Sequence, residues 1–246
     1  MATSPAKKAR PARKRAARNG EPLTAERIVD AAMALVEEAS LAGLTTRRLG
    51  QRLGCEAMSI YHHFPSKRHL LDALVERAIA SVVVPEPGPD LEARVRESLE
   101  SYRAMAHRWP ALFPLVAVHR LNTPSGVRFI ESVLRLVHAS TGDDELTARH
   151  FRAMGYYLVG ACLEETAGYA RGPSAAEPVD DAFIARECPR LVAAAPYFQA
   201  SQWDATWLLG IDALLAAGGL AAGAPARAPA ARDAPRSRPR RRNRAA

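Results

Sequence analysis

The chain has 246 residues, 48% of them hydrophobic, so it can bury a sizeable core as one domain or as a small domain joined to a larger one. Its three cysteines are widely spaced and odd in number, which excludes a disulfide framework and a zinc-binding spacing and indicates a cytoplasmic protein. Asp212 interrupts the most apolar run of the C-terminal part, residues 208–224, and this argues against a membrane span.

The formal net charge of +8 is concentrated at the two ends of the chain. Residues 1–20 and residues 225–246 each carry +7, so the residues between them carry −6. Both ends are rich in Ala, Pro and Arg, and this composition predicts a disordered basic arm at 1–21 and a disordered basic tail at 221–246. Such ends suit a polyanion, but they would equally keep the protein soluble, and the sequence leaves both interpretations open.

Hydrophobic residues recur with a period of 3.6 rather than 2, which predicts an all-α protein. The first predicted domain, residues 22–84, has the pattern of four helices. Gly43 ends the first helix, Gly54 ends a short second one, and a short third one runs from about residue 57 to residue 63. The residues placed to cap the first, second and fourth helices are Thr24, Thr45 or Thr46, and Ser66.

The run PEPGPD, residues 85–90, is a linker, because it is dense in Pro and Gly. Beyond it, residues 90–220 form the second predicted domain. Its helical segments are 91–108, 110–119, 124–140, 144–170, 179–194 and 203–218.

A helix, a short helix, a Gly turn and a second short helix form the helix-turn-helix plan, whose last helix enters the DNA major groove. Ile60 and Phe64 lie one turn apart and can pack on Leu49, Leu53 and Cys55. The side chains left pointing outward can donate or accept hydrogen bonds at base edges or contact a thymine methyl group. They belong to Ala57, Met58, Ser59, Tyr61, His62 and His63. The cations that would hold phosphates around them are Arg47, Arg48, Arg52, Lys67 and Arg68.

The run LTTRRLGQRLGCEAMSIYHHFPSKRHLLDAL, residues 44–74, resembles the tetracycline-repressor (TetR) family of transcription regulators. By position, the resemblance implies backbone contacts from Thr46, Arg47, Tyr61 and Lys67. It implies base or groove contacts from Arg47, Ala57, Met58, Ser59, His62 and His63. Family members often have a long polar side chain where this chain has Ala57 and Met58, so the operator sequence does not carry over.

The segments VHRLNTP, residues 118–124, and GYYLVGACLEET, residues 155–166, are similar to segments that line the drug pocket of the tetracycline sensor. His119 and Glu164 correspond to groups near the drug's magnesium there. Tyr156 replaces another pocket histidine, so we expect a different small molecule and no resident metal or cofactor. The predicted contacts are Tyr102, Met105, Trp109, Phe113, His119, Phe129, Phe151, Met154, Tyr157 and Glu164, and these residues could equally be ordinary core.

A stripe on the last helix, combined with helix 144–170, resembles the four-helix interface through which the family forms homodimers. Its members are Trp203, Trp207, Ile211, Leu214 and Leu215. A two-fold dimer presents two recognition helices to successive major grooves, so the resemblance implies a palindromic operator.

The sequence therefore predicts a homodimeric repressor that a small molecule releases from palindromic double-stranded DNA. Two alternatives remain open. One is an architectural DNA-binding protein that relies on its basic ends. The other is a helical enzyme that uses His119 and Glu164, although the chain lacks a nucleophile–base spacing, a phosphate loop and a metal motif, so we expect no enzyme.

Overall fold

The computed structural model describes residues 22–119, 123–167, 177 and 179–220. Within these ranges the regular structure is entirely helical, which confirms the predicted all-α class. The predicted basic arm at 1–21, the predicted basic tail at 221–246 and the last three residues of predicted helix 144–170 lie outside the described residues. None of the helices in the described part combines the length and the apolar character that crossing a membrane requires.

Four helices occupy the N-terminal part of the chain. They are α1 Ala25–Gly43, α2 Thr46–Leu53, α3 Ala57–Tyr61 and α4 Lys67–Ala80. The predicted caps are confirmed, because the side-chain oxygens of Thr24, Thr45 and Ser66 each accept the amide three residues ahead.

Helix α3 ends two residues earlier than the sequence predicts. The amides of His63 and Phe64 both donate to the carbonyl oxygen of Ile60, at 3.0 and 2.9 Å, and this closes the last turn. The tight turn brings Phe64 back toward the interior, where it is buried.

The C-terminal helices follow the predicted segments with two differences. They are α5 Leu91–Arg108, α6 Phe113–His119, α7 Pro124–Thr141, α8 Asp144–Ala167, α9 Asp181–Glu187, α10 Pro189–Ala194 and α11 Trp203–Ala217. Helix α6 begins three residues later than predicted. The predicted helix 179–194 is two helices, because Pro189 disfavours a helical conformation at Cys188, whose φ of −125° and ψ of 53° break the chain of helical residues.

The described residues form two compact units. The first unit contains residues 22–82 together with the described part of Ala104–Arg128, and the second contains Val83–Arg103 and the described residues from Phe129 onward. The unit boundary at Val82 lies beside the predicted linker. Residues 104–128, which the sequence places in the second domain, belong to the first unit, because α6 packs on α4.

The core of the first unit is aliphatic among α1–α4. Helix α1 contributes one apolar stripe, against which α2 and α4 pack, and α3 packs on α2. Among residues 25–80, those with at most 1% of their surface exposed are Ile28, Ala32, Val36, Leu44, Leu49, Ile60, Leu74, Val75, Ala78 and Ile79.

In the second unit, α11 packs on α8. Trp207, Ile211 and Leu215 face inward and are almost completely buried in the chain's own core. The stripe proposed as an interface between copies is therefore, in these three members, an internal surface. The large apolar side chains that α11 exposes are Leu208 and Leu209.

The predicted linker and Val83, just before it, form hydrogen bonds and an ion pair within the second unit. The amide of Val83 donates to the Ser101 hydroxyl at 2.8 Å. Arg94 donates to the carbonyl oxygen of Glu86 at 2.8 Å, and Arg135 pairs with the carboxylate of that residue at 2.9 Å. These contacts connect the segment to α5 and α7. The Pro-rich and Gly-rich segment is therefore an ordered connection rather than a flexible one.

Candidate nucleic-acid interface and candidate effector residues

Two glycines shape the turn between α2 and α3. Gly54 has a φ of +64°, a left-handed conformation that glycine adopts without steric cost. The amide of Cys55 then donates to the carbonyl oxygen of Gly50 at 2.8 Å. A Cβ at Gly50 would lie 2.7 Å from the Cys55 carbonyl oxygen, so only glycine lets the two helices approach this closely.

Helix α3 and the two residues after it expose four large side chains and bury one face. Ile60 is 1% exposed and anchors the helix together with buried Phe64, which confirms the predicted inner face. Met58 is 65% exposed and Tyr61 is 37% exposed. His62 and His63 are exposed, whereas Ala57 and Ser59 are half-buried. The outward surface therefore carries an apolar thioether, a phenol and two imidazoles.

The cations around α3 differ in their availability. Arg52 pairs with Glu38 at 2.8 Å, and Arg48 donates to the Gly43 carbonyl oxygen at 3.4 Å, so both of these predicted phosphate-binding side chains have partners in the chain. The remaining predicted cations are exposed and make no hydrogen bond or ion pair within the described part of the chain. These are Arg47, Lys67 and Arg68.

Thr46, the remaining predicted backbone contact, is the first residue of α2 and is half-buried. Together with exposed Arg47 and with Lys67, the first residue of α4, it places the predicted phosphate contacts at the starts of the two helices that flank α3. Helix N-termini favour anions, because their amides point outward and carry partial positive charge. The arrangement can therefore hold a phosphate backbone while α3 meets base edges.

The predicted effector residues are divided between the two units. In the first unit Met105, Trp109 and Phe113 are buried, and His119 is half-buried at the end of α6. In the second unit Tyr102 and Met154 are buried, and Tyr102 stacks on half-buried Phe129 with ring centroids 5.8 Å apart. Half-buried Phe151 lies on α8.

Two more of these residues also lie on α8. Tyr157 is half-buried and donates its hydroxyl to the carbonyl oxygens of Thr206 and Trp207, at 3.0 and 3.1 Å. Burial, the largest influence, raises the pKa of Tyr157. Glu164 is exposed, whereas its neighbour Glu165 is buried. A ligand contact by any of the ten residues stays a prediction.

Sequence reasoning missed a polar cluster in the second unit. It consists of Arg103, Glu165, Asp204, Trp207 and Glu100. Arg103 holds Glu165 in a two-bond contact at 2.8 and 2.9 Å and reaches Asp204 at 2.8 Å. Its guanidinium lies 4.8 Å from the centroid of the Trp207 ring, and the indole N–H of Trp207 donates to Glu100.

Hydrogen bonds keep Arg103 charged within this polar cluster. Burial acts to lower the pKa of Arg103, but its hydrogen bonds to Glu165 and Asp204 outweigh that effect and the pKa is raised. The sequence contained a signal for Glu165. Residues 154, 158, 162 and 165 follow helical spacing and are all buried, so the inward carboxylate of the adjacent pair is Glu165.

Within the described ranges, His, Cys, Asp and Glu side chains form no group of three or more that could hold a metal ion.

Comparison with known proteins gives matches along both predicted domains. Residues 28–74 match the model for "Bacterial regulatory proteins, tetR family". Residues 84–222 match the model for "Tetracyclin repressor-like, C-terminal domain". The second match alone covers more than half of the chain.

Two curated proteins and one solved structure illustrate the likeness. The chain is 33% identical over 150 residues to the HTH-type transcriptional repressor DrrR1 of Streptomyces coeruleorubidus, which is 58% of this chain but only about half, 54%, of that relative. It is 30% identical over 194 residues to the tetracycline repressor protein class A from transposon 1721 of Escherichia coli, which covers 75% of this chain and 85% of the relative. The structure of ActR from Streptomyces coelicolor in complex with actinorhodin matches with a TM-score of 0.65 and 27% identity, over 82% of this chain and 98% of ActR.

Proposed function

Because the chain belongs to the tetR family of bacterial regulatory proteins, we propose that this DNA-binding helix-turn-helix regulator is a repressor that a small molecule releases from a palindromic operator. The observation that carries the proposal is the presentation of α3. Its only fully buried residue is Ile60, and its outward side chains carry hydrogen-bonding and apolar groups suited to base edges.

The proposal assigns two roles to the DNA-facing residues. Thr46, Arg47, Tyr61 and Lys67 contact the phosphate backbone and set the register of the protein on the duplex. Base edges are contacted by side chains of α3, by the two histidines that follow it and by the guanidinium of Arg47. That second group is Arg47, Ala57, Met58, Ser59, His62 and His63.

Exposed apolar side chains of the second unit support a homodimer. Tyr156 on α8 is 69% exposed, and Leu208 and Leu209 on α11 are also exposed. Large apolar groups on both helices favour a contact with a second copy, which would remove them from water. Two recognition helices related by a two-fold axis would contact half-sites roughly 34–36 Å apart, so the operator would be an inverted repeat.

The effector is proposed to act through differential affinity. A molecule that binds better to a conformation with a poor spacing of the two α3 helices would weaken DNA binding without contacting DNA. The candidate contacts are the ten residues predicted from the sequence. Because ActR, a structural relative, has been solved with actinorhodin, that compound is a suitable first probe.

Selection of bound duplexes from random DNA tests the proposal. We expect an inverted repeat, with His62→Ala relaxing the base preference at one position of each half-site and Tyr61→Phe weakening all sequences by a similar factor. The measurement is the affinity of each variant for the selected repeat and for singly changed repeats. Equal losses on every sequence from both variants would contradict the assigned roles.

The same selected duplex separates the proposal from an architectural function of the basic ends. A protein without residues 1–20 and 225–246 would bind more weakly and with less salt dependence but would keep its sequence preference, since phosphate contacts carry little sequence information. Loss of all sequence preference on removing both ends would favour the architectural function instead.

A further inference from the structure

The first turn of α7 is completed by a side chain from another helix. Pro124 has no amide hydrogen, and the amide of Ser125 donates to both carboxylate oxygens of Glu76 on α4, at 3.1 and 2.9 Å. Gly126 donates to the Thr123 hydroxyl at 3.0 Å, and Val127 donates to the Thr123 carbonyl oxygen at 3.0 Å. The first amides of a helix have no acceptor within that helix. Thr123 accepts from the amides of Gly126 and Val127, and Glu76 of α4 accepts from the remaining one, the amide of Ser125.

Charge and hydrogen bonding strengthen this α4–α7 contact. The hydroxyl of Ser125 also donates to Glu76, and the guanidinium of Arg128 lies 3.7 Å from the same carboxylate. Partial burial acts to raise the pKa of Glu76, but the hydrogen bonds from Ser125 outweigh it and the pKa is lowered. Glu76 is therefore an anion held at a helix N-terminus, where the backbone dipoles favour it.

Helix α4 is fixed to the DNA-facing surface. It begins at Lys67, six residues after α3 ends, and Ser66 caps it. On both sides of Glu76, the residues Leu74, Val75, Ala78 and Ile79 are buried in the same core as Ile60 of α3. A shift of α4 therefore disturbs the packing that holds α3, because close-packed cores transmit displacement.

Helix α7 links the contact to a different part of the chain. Ser125 and Arg128 belong to the first unit, whereas Phe129, the next residue of the same helix, belongs to the second and stacks on Tyr102. Tyr102 and Phe129 are both among the proposed effector contacts. One continuous helix thus carries a proposed effector contact and, one turn earlier, the residue held by α4.

We infer that Glu76 is a positioning residue that couples the first turn of α7 to the DNA-binding surface through α4. This inference rests on the proposed function and deepens it, because it names the contact by which a change at α7 alters DNA affinity. Coupling is reciprocal, so DNA bound at α3 must in turn change the stability of the first turn of α7.

Hydrogen–deuterium exchange on the full-length protein tests this reciprocity without any effector. Exchange at residues 125–128 is measured with and without a saturating amount of the inverted repeat recovered by selection. We expect DNA to change the exchange rate there by about fivefold or more, in either direction, as coupling of ordinary size requires. In Glu76→Ala the same amides should exchange at one rate whether DNA is bound or not.

Asp72→Asn is the matched control, since Asp72 lies one turn earlier on α4 and has no hydrogen bond or ion pair within the described residues. It should retain the DNA-dependent change. Ser125→Ala, which keeps the amide but loses the hydroxyl, should reduce the change, and combining it with Glu76→Ala should add nothing further.

The outcomes separate this inference from the proposed function. A DNA complex in which exchange at residues 125–128 of the wild-type protein is unchanged would overturn the inference and leave the proposed function standing. Failure to select any preferred duplex would overturn both. Because the decisive measurement uses the wild-type protein, it holds even where Glu76→Ala proves too unstable to study.

Discussion

The interior of helices α1–α4 and the interior of the second unit are stabilised by different kinds of interaction. Among α1–α4, all of whose residues are described, the buried side chains are apolar, with Ile28, Leu49, Ile60 and Leu74 at the centre. The second unit buries Glu165 and nearly buries Arg103 among apolar residues such as Trp207. Apolar contacts are non-directional, whereas a two-bond ion pair has one geometry, so the two regions differ in how strictly their helices are aligned.

This difference bears on the surfaces that each region exposes. Helix α11 is apolar nearly all round, and burial alone does not decide which side faces α8. The polar cluster favours the observed rotation, in which Asp204 contacts Arg103 and Trp207 contacts Arg103 and Glu100. That rotation places Leu209 in solvent, where we propose a second copy binds.

The largest expected effect comes from breaking the buried ion pair. Glu165→Ala leaves Arg103 with an exposed partner, Asp204, and without its buried one, and should lower the free energy of unfolding by about 3 kcal/mol. Urea denaturation measures the change. Glu145→Ala, which removes an exposed i,i+4 partner of Arg149 on the same helix, should cost less than about 1 kcal/mol.

A double variant sharpens that test. Arg103→Met combined with Glu165→Leu replaces both charges with apolar groups and should recover most of the lost stability, since no buried charge is left uncompensated. Sedimentation then compares the dimerisation of the double variant with that of the wild type. Weaker dimerisation of the double variant would show that the polar cluster sets the orientation of α11. Unchanged dimerisation would show that apolar packing alone orients α11.

A smaller effect is expected at Gly50, where the backbone of the α2–α3 turn leaves no room for a side chain. Gly50→Ala places a methyl group 2.7 Å from the Cys55 carbonyl oxygen, which cannot move without opening the α2–α3 turn, so we expect a loss of about 1–3 kcal/mol and weaker DNA binding. Gly155→Ala on α8 is the control. Nothing lies within 4 Å of the added methyl group, and alanine should stabilise the helix by up to about 1 kcal/mol. Thermal unfolding distinguishes the two, and equal effects would contradict this explanation.

The sequence predicts the structure of helices α1–α4 well, because interactions between residues close in sequence determine it. Caps at Thr24, Thr45 and Ser66, the left-handed turn at Gly54 and the inward faces of Ile60 and Phe64 each follow from residues a few positions apart. These features are local, so one sequence contains the whole signal.

Other features cannot be predicted in this way, because they are contacts between residues far apart in sequence. Glu76 meets Ser125 across 49 positions, and Arg103 meets Asp204 across 101. Nothing in the neighbourhood of either residue indicates its partner. Periodicity predicts that Trp207 is buried, but it does not distinguish a contact within the chain from a contact with a second copy.

The smallest expected effect is at Cys162, which tests whether the core of the second unit opens. Burial, the largest cause, raises the pKa of its thiol to about 12, so the group stays protonated and unreactive near pH 8. Cys55 and Cys188 are half-buried and should react with a thiol-specific disulfide reagent in the folded protein, whereas Cys162 should react only as urea unfolds the chain. Cys162→Ala identifies the slow thiol, and Glu165→Ala should speed its reaction, since the weakened unit opens more often. A Cys162 that reacts as fast as the other two in the native wild type would show that this core is open.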